Sequence, residues 1–371
     1  MTPFIKEMVK VARNFLSLHN FLFVIIKYLE YAIIAFIYFR LAKIIGPVEY
    51  GKATPGFIAI SYSGFIMLGL TPYIVKEFAS FAAKKHNEFN EQALIYYQLL
   101  YVLIASFLIV IILEIFFKYE LSFIVSLVCA ARIIMDILVT IHRVRNRVLQ
   151  MNLISFSFSV VFLAFFLWFP VHIYSFFCFW AIGLLIGIIV GLGTLKEDIF
   201  NDIVSYSEFK TWLKINFYSI FKECLTFGIL GIVTVVLSSL DKLLLLDYIS
   251  EELMGNFQLA DNLAMVATLA FGAINYLASY NILSNLASKK LSVINFMNKS
   301  FLVAFIVGVV LIILTLLLTS VLTNFFENYN YLNLFLPIIL TNRYLDLVFT
   351  IPCLILINKS LQNTYTKFLF I

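Results

Sequence analysis

Charge is what this sequence has least of. Asp, Glu, Lys and Arg make up 13% of the 371 residues, about half the share of a soluble domain and too little for a water-facing surface of this size. The four cysteines (Cys129, Cys178, Cys224 and Cys353) stand singly in apolar stretches. That excludes a disulfide framework and a thiolate metal site, and leaves them as small buried hydrophobes. His19, His86, His142 and His172 are scattered without metal-ligand spacing, so neither a metal nor a cofactor is expected. There is no glycine-rich phosphate loop, no nucleophile elbow and no pair of carboxylates in a soluble loop. The segments between apolar stretches are too short to hold a catalytic domain, and the chain is not expected to be an enzyme. Proline is rare as well. Pro72 and Pro352 fall inside apolar segments, where each is expected to kink a helix.

What remains is apolar. A hydrophobic share of 63% and a mean hydropathy of +1.00 place the chain among polytopic membrane proteins. About ten stretches reach the roughly 20 apolar residues that a helix needs to cross a bilayer. They are 20–41, 54–81, 93–117, 121–141, 149–169, 172–195, 215–240, 256–280, 301–322 and 331–357. The expected fold is therefore an all-α polytopic membrane protein with two lobes. The first lobe holds six helices (residues 1–195), a cytosolic linker follows (196–214), and the second lobe (215–371) holds four helices and a tail. The apolar tail 368–371 reads as the start of a further helix, so the second lobe is expected to be incomplete. The net charge of +5 sits in short loops between spans, which marks topology rather than a groove for nucleic acid. With the N-terminus in the cytoplasm, roughly seventeen Lys and Arg fall inside and five outside, the bias that the positive-inside rule requires.

Two stretches read alike. Residues 39–85 carry Gly46-Pro47-Val48-Glu49-Tyr50-Gly51 between apolar segments and end on Lys84-Lys85. In residues 240–290, Gly255 takes the place of Gly51 and Lys289-Lys290 that of Lys84-Lys85, an offset of about 204 to 205 residues that marks an internal repeat. Gly46, Pro47 and Gly51 are helix breakers, so a short ordered loop is expected between two membrane helices. Two similar membrane halves are the usual plan of a secondary transporter.

The remaining chemistry lies in the charges inside the spans, each costing about 2.5–3.5 kcal/mol at a helix centre on insertion scales. Arg132 and Asp136 are spaced i, i+4 on one span, and Arg343 and Asp346 are spaced i, i+3 on another. Each arginine lies about 16–18 Å from the expected outer end at 1.5 Å per residue, near mid-bilayer. Lys27 and Glu30, Lys222 and Glu223, Asp261 and Glu114 complete the set. One reading is structural: an ion pair on one helix neutralises itself and locks packing. The other places both arginines in a cavity, where the planar guanidinium grips an oxyanion at two points and stays charged. On that reading Arg132, Arg343, Lys27 and Lys222 contact substrate, while Asp136, Asp346 and Asp261 couple an ion or orient the arginines. Every deep acid except Asp261 is expected to have a basic neighbour. Gly183, Gly187, Gly191 and Gly193 form a small-residue stripe expected to serve close helix packing.

The run Arg40-Leu41-Ala42-Lys43-Ile44-Ile45-Gly46-Pro47-Val48-Glu49-Tyr50-Gly51, with Gly69-Leu70 and Lys76-Glu77 behind it, resembles the first-loop signature of bacterial polysaccharide flippases of the Wzx type. Leu240-Asp241-Lys242-Leu243-Leu244-Leu245 and Gly255-Asn256-Phe257 resemble the same family's seventh-to-eighth helix region. Together these stretches cover about a quarter of the chain. The resemblance implies the multidrug/oligosaccharidyl-lipid/polysaccharide exporter superfamily, with two six-helix lobes, alternating access and a cationic central cavity. It implies translocation of undecaprenyl-pyrophosphate-linked oligosaccharide units for O-antigen or capsule, driven by a proton or sodium gradient. The bacterial inner membrane is the implied location. The implied partners are the lipid-linked oligosaccharide, membrane lipids and other polysaccharide-assembly membrane proteins. The alternatives are a small-molecule exporter of the multidrug type and a non-transporting membrane assembly protein.

Overall fold

The computed structural model describes residues 18–63, 88–117, 119–144, 147–199, 205–266 and 321–344, with isolated positions between 69 and 73 and between 305 and 319. No strand occurs among the described residues, which are about 91% helical, so helix packing supplies all of their tertiary order. The helices are α1 (Leu18–Lys52), α2 (Thr54–Tyr62), α3 (Glu88–Phe117), α4 (Ser122–Val144), α5 (Val148–Trp168), α6 (Ile173–Ile199) and α7 (Tyr206–Tyr248). Among the described residues α8 (251–266) and α9 (332–344) follow, with a further helical stretch at 321–325. Five segments among the described residues are long and apolar enough to cross a membrane: Ile25–Lys52, Ala93–Ile112, Ser122–His142, Val148–Trp168 and Ile173–Leu195. They fall on the first, third, fourth, fifth and sixth expected spans. Pro72, Pro352, Cys353 and the 368–371 tail lie outside the described residues.

The expected loop at 46–51 is instead helical. α1 runs through it to Lys52, broken only at Gly46 (φ 76°, ψ 173°), a conformation that glycine adopts without a Cβ penalty. Pro47 then opens the second helical piece, where its missing N–H would have had no partner and its fixed φ suits the first turn. The helices likewise reach into the expected 196–214 linker, with α6 running to Ile199 and α7 starting at Tyr206. At 43 residues, α7 is about 64 Å long, twice the roughly 30 Å hydrocarbon thickness.

The start of α7 is set by a capping box. The Ser205 hydroxyl and backbone N–H both donate to Glu208 Oε2, at 2.7 and 3.2 Å, satisfying an amide the helix leaves open. These donors hold the Glu208 carboxyl below its usual range. Its contribution is therefore present above the unfolded carboxylate range and lost as pH falls through the folded value. Ser205→Ala is expected to speed hydrogen exchange of the amides at 206–209 at neutral pH, and acidification is expected to do the same to wild type. Unchanged exchange would mean that the cap does not hold this end.

The chain divides into two compact units, unit 1 (Met1–Ile33 and Pro55–Leu244) and unit 2 (Ile34–Thr54 and Leu245–Ile371). In unit 1, α4 packs against α3, α5 and α6, and α5 lies along α6. Lipid tails are as apolar as the side chains, so close contact holds these helices together in place of a hydrophobic drive. Gly183, Gly187 and Gly191 provide it: a Cβ on them would meet Phe158, Met135 or Leu138 at 2.8–3.1 Å. The stripe thus serves packing, as expected, except Gly193, which has nothing within 4 Å. Aromatic rings fill the rest. Phe162 stacks on Trp180 at 5.8 Å, and Phe57 of α2 meets Phe176 edge-on at 5.9 Å.

In unit 2, the second part of α1 crosses α8 backbone to backbone. A Cβ on Gly51 would collide with the Glu251 carbonyl and one on Gly255 with the Pro47 carbonyl. Each would also lie 3.1 Å from the other glycine's nitrogen. Tyr50 is fully buried beside this crossing. Its hydroxyl accepts from Asn262 Nδ2 at 2.6 Å, and its ring meets Tyr329 edge-on at 6.5 Å. The Tyr329 hydroxyl donates to the Ala42 carbonyl at 2.8 Å, one turn before the break at Gly46.

Candidate functional site

The site follows from the make-up of α4. Alone among the described helices it is strongly amphipathic, and Arg132 stands near the middle of its 23 residues. An arginine at that depth needs acceptors. Arg132 Nη1 donates to the Ile60 carbonyl at 3.1 Å, close to where α2 ends at Tyr62. The Ser63 hydroxyl donates to the same oxygen at 2.9 Å. The expected i, i+4 partner, Asp136, is only loosely engaged, with Nε and Oδ2 4.0 Å apart. Both side chains keep accessible surface, 36% for Arg132 and 53% for Asp136.

The first part of α1 brings a second ion pair to the same unit. Lys27 Nζ lies 2.7 Å from Glu30 Oε2 and donates to Ser155 Oγ of α5 at 3.3 Å. The i, i+3 spacing puts Lys27 and Glu30 on one helix face. Lys27 and Arg132 both act electrostatically on Asp136, so α1 and α4 build one cluster. Among the described residues it holds Lys27 and Arg132 with Glu30 and Asp136. Next to it on α5, Asn152 is buried at 2% exposure, and neither of its amide atoms has a hydrogen-bond partner.

Unit 2 holds a different kind of pair. Arg343 Nε and Nη2 both reach Asp261 Oδ1, at 2.9 and 2.6 Å. Asp261 is nearly sealed at 3%, Arg343 at 18%. This corrects one expectation: Asp261 does have a basic neighbour, Arg343, which reaches it from another helix. A long arginine bridges two packed helices as readily as one helical turn, and spacing along one helix says nothing of that. Asp346 lies outside the described residues. Lys222 is exposed on α7.

The structure therefore gathers Lys27, Arg132 and Asp136 in unit 1 and Arg343 with Asp261 in unit 2. Sequence reasoning missed Ser155, Asn152 and the Ile60 carbonyl. The first two had a signal: Asn152, Ser155 and Ser159 recur at helical spacing inside an otherwise apolar run, a polar stripe on one face. A backbone carbonyl leaves no signal of this kind.

Comparison of the chain with protein-family models, curated proteins and solved structures finds no match. What the fold and its composition define is an all-α membrane protein. Among the described residues, its helices hold an open charge cluster in unit 1 and a nearly sealed ion pair in unit 2.

Proposed function

We propose that the chain is a secondary transporter that moves a lipid-linked oligosaccharide, carried on a polyprenyl pyrophosphate, across the bacterial inner membrane by alternating access. The observation that carries this reading is Arg132. It is a mid-span guanidinium anchored by a neutral carbonyl, with its nearest carboxylate 4.0 Å away and more than a third of its side chain accessible. Such a cation is free to receive an oxyanion, whereas a guanidinium closed on a buried carboxylate is not. A diphosphate with sugars attached cannot enter hydrocarbon unaided, because its charges and hydroxyls would lose their water. Lys27, Arg132 and Asp136 offer replacement contacts.

The resemblance at 40–51 and 240–257 supports the same reading and supplies the cargo class. It also supports a two-lobed plan of about ten helices with an internal repeat. The meeting of Gly51 with Gly255, at the offset read from the sequence, is what a repeat with a local two-fold would give.

The test is complementation of a strain lacking its own O-unit flippase, scored by polymerised surface polysaccharide at matched membrane levels. Wild type is expected to restore polymer, and Arg132→Ala to reduce it at least tenfold, as removal of a charged hydrogen-bonding partner does. Polymer at the wild-type level in Arg132→Ala would overturn the role of Arg132. No polymer from well-expressed wild type, tested against several repeat-unit chemistries, would overturn the cargo class.

A further inference from the structure

We propose that the outward face of α7 around Lys210, Lys214, Tyr218 and Phe221 binds one anionic phospholipid of the surrounding bilayer. Its phosphate is held by the two lysines, and its acyl chains run along the aromatic side chains one and two turns further on. The membrane class of the protein is enough for this; what the protein transports does not enter.

Depth is the first argument. α7 belongs to unit 1 as far as Leu244, and its opening turns lie against α3. The Phe209 ring is 6.1 Å from that of Tyr96, and the Phe217 ring 6.4 Å from that of Tyr97. The apolar stretch of α3 that can cross a membrane begins at Ala93. Residues 209–217 of α7 therefore stand beside the start of that stretch, where hydrocarbon gives way to headgroups. One side of α7 is covered here, with Ile220 and Cys224 buried. The other side is open: Lys210 and Lys214 are exposed, and so are Ile215, Phe217, Phe221 and, at 76%, Tyr218.

Charge is the second argument. Lys210 and Lys214 are spaced i, i+4, on one helix face and about 6 Å apart along the axis. Like charges so placed repel each other, and an anion between them reverses the sign. Among the described residues neither lysine has a carboxylate partner. Glu208, the nearest acid in sequence, is taken by the Ser205 cap. Tyr218 lies one turn beyond Lys214, and Phe221 about 10 Å beyond it. The face thus orders a cation pair, a tyrosine hydroxyl and then apolar rings, the sequence of needs of a lipid phosphate, its ester oxygens and its chains. A soluble acidic partner would leave the rings unmatched. A zwitterionic lipid would bring its own ammonium against the lysines, so the preference is for net negative charge.

The experiment uses Tyr218→Trp as a reporter, tryptophan being suited to the same interface. It is made in the full-length chain with Trp168, Trp180 and Trp212 replaced by Phe. Vesicles contain equal parts of phosphatidylglycerol and phosphatidylcholine, and one or the other carries brominated, fluorescence-quenching chains. Phosphatidylglycerol is expected at the reporter with at least fivefold preference, about the worth of one lysine at an anionic surface. Lys210→Gln and Lys214→Gln should each lower the preference several-fold, the double variant should abolish it, and salt should weaken it. Lys52→Gln is the control, an exposed lysine already 2.8 Å from Glu49, and should change nothing. Native mass spectrometry on the chain with its own tryptophans, released from the same lipids, checks the result without the Phe replacements. Wild type and Lys52→Gln should retain a phosphatidylglycerol that Lys210→Gln/Lys214→Gln loses.

Equal quenching by the two lipids would overturn the site, as would a preference that survives in the double lysine variant. Quenching by neither lipid would mean that protein covers this face, which also overturns it. In the mass spectra, equal retention of phosphatidylglycerol by wild type and the double variant would do the same.

Discussion

Alanine at Gly51 or at Gly255 is expected to deprive the protein of its folded state, with accumulation in the membrane falling at least tenfold. Both glycines are helical, and on intrinsic preference alone alanine would be the better residue by about 0.5–1 kcal/mol. The local geometry reverses that sign. The new methyl would enter the carbonyl of Glu251 or Pro47, and backbone gives way far less readily than a side chain. Overpacking in a deformable core costs about 1–3 kcal/mol, and a methyl against a fixed carbonyl belongs above that range. Gly193→Ala is the control, since nothing lies within 4 Å of the added carbon, and it should be neutral or slightly stabilising. Because either methyl alone already separates the two helices, the double variant Gly51→Ala/Gly255→Ala should be little worse than either single one, a clear failure of additivity. Heat-dependent loss of the monodisperse peak on size exclusion measures each variant. Wild-type stability in Gly51→Ala would mean that the helices do not cross here.

The same pair shows how far the sequence can be read. The correspondence of Gly51 with Gly255 was legible as an offset, and in unit 2 these two residues touch. What was not legible was the helix around them. Glycine and proline at 46–51 read as a loop, yet propensity is a weak prior that packing overrides, and a single glycine torsion at Gly46 was enough to keep both flanks helical. The membrane class followed directly from the scarcity of charge. The stripe of α6 followed from its spacing at Gly183, Gly187 and Gly191 but not at Gly193, which meets nothing within 4 Å. The charges were found but not their partners. Arg132 was expected on Asp136 and is held more firmly by a carbonyl of α2. Arg343 binds Asp261 of α8, a partner that its spacing from Asp346 does not report. Spacing along one helix reports which side chains share a face, while the partner across an interface depends on a packing that one sequence does not specify.

The two arginines, alike in sequence, should therefore separate by experiment. Arg343→Ala leaves the Asp261 carboxylate nearly sealed from solvent without its counter-ion, and breaking one side of a buried pair costs about 3–5 kcal/mol. Much of the folded protein is expected to be lost, and transport to fall in proportion to it. Adding Asp261→Leu to Arg343→Met removes both charges and fills the space, a replacement often neutral or stabilising, so most of the folded protein should return. Arg132→Ala should behave in the opposite way. It removes a guanidinium that is more than a third accessible, beside an Asp136 that is half accessible, so stability should stay near wild type while transport per folded molecule collapses. The deciding measurement is that ratio, surface polymer divided by monodisperse membrane protein, across the four variants Arg132→Ala, Arg343→Ala, Asp261→Leu and Arg343→Met/Asp261→Leu. A double variant that folds well and transports places the closed pair in the scaffold and leaves the open cluster to meet the cargo. If it folds well but does not transport, Arg343 must leave Asp261 during the cycle, and the closed pair is then one state of a moving contact.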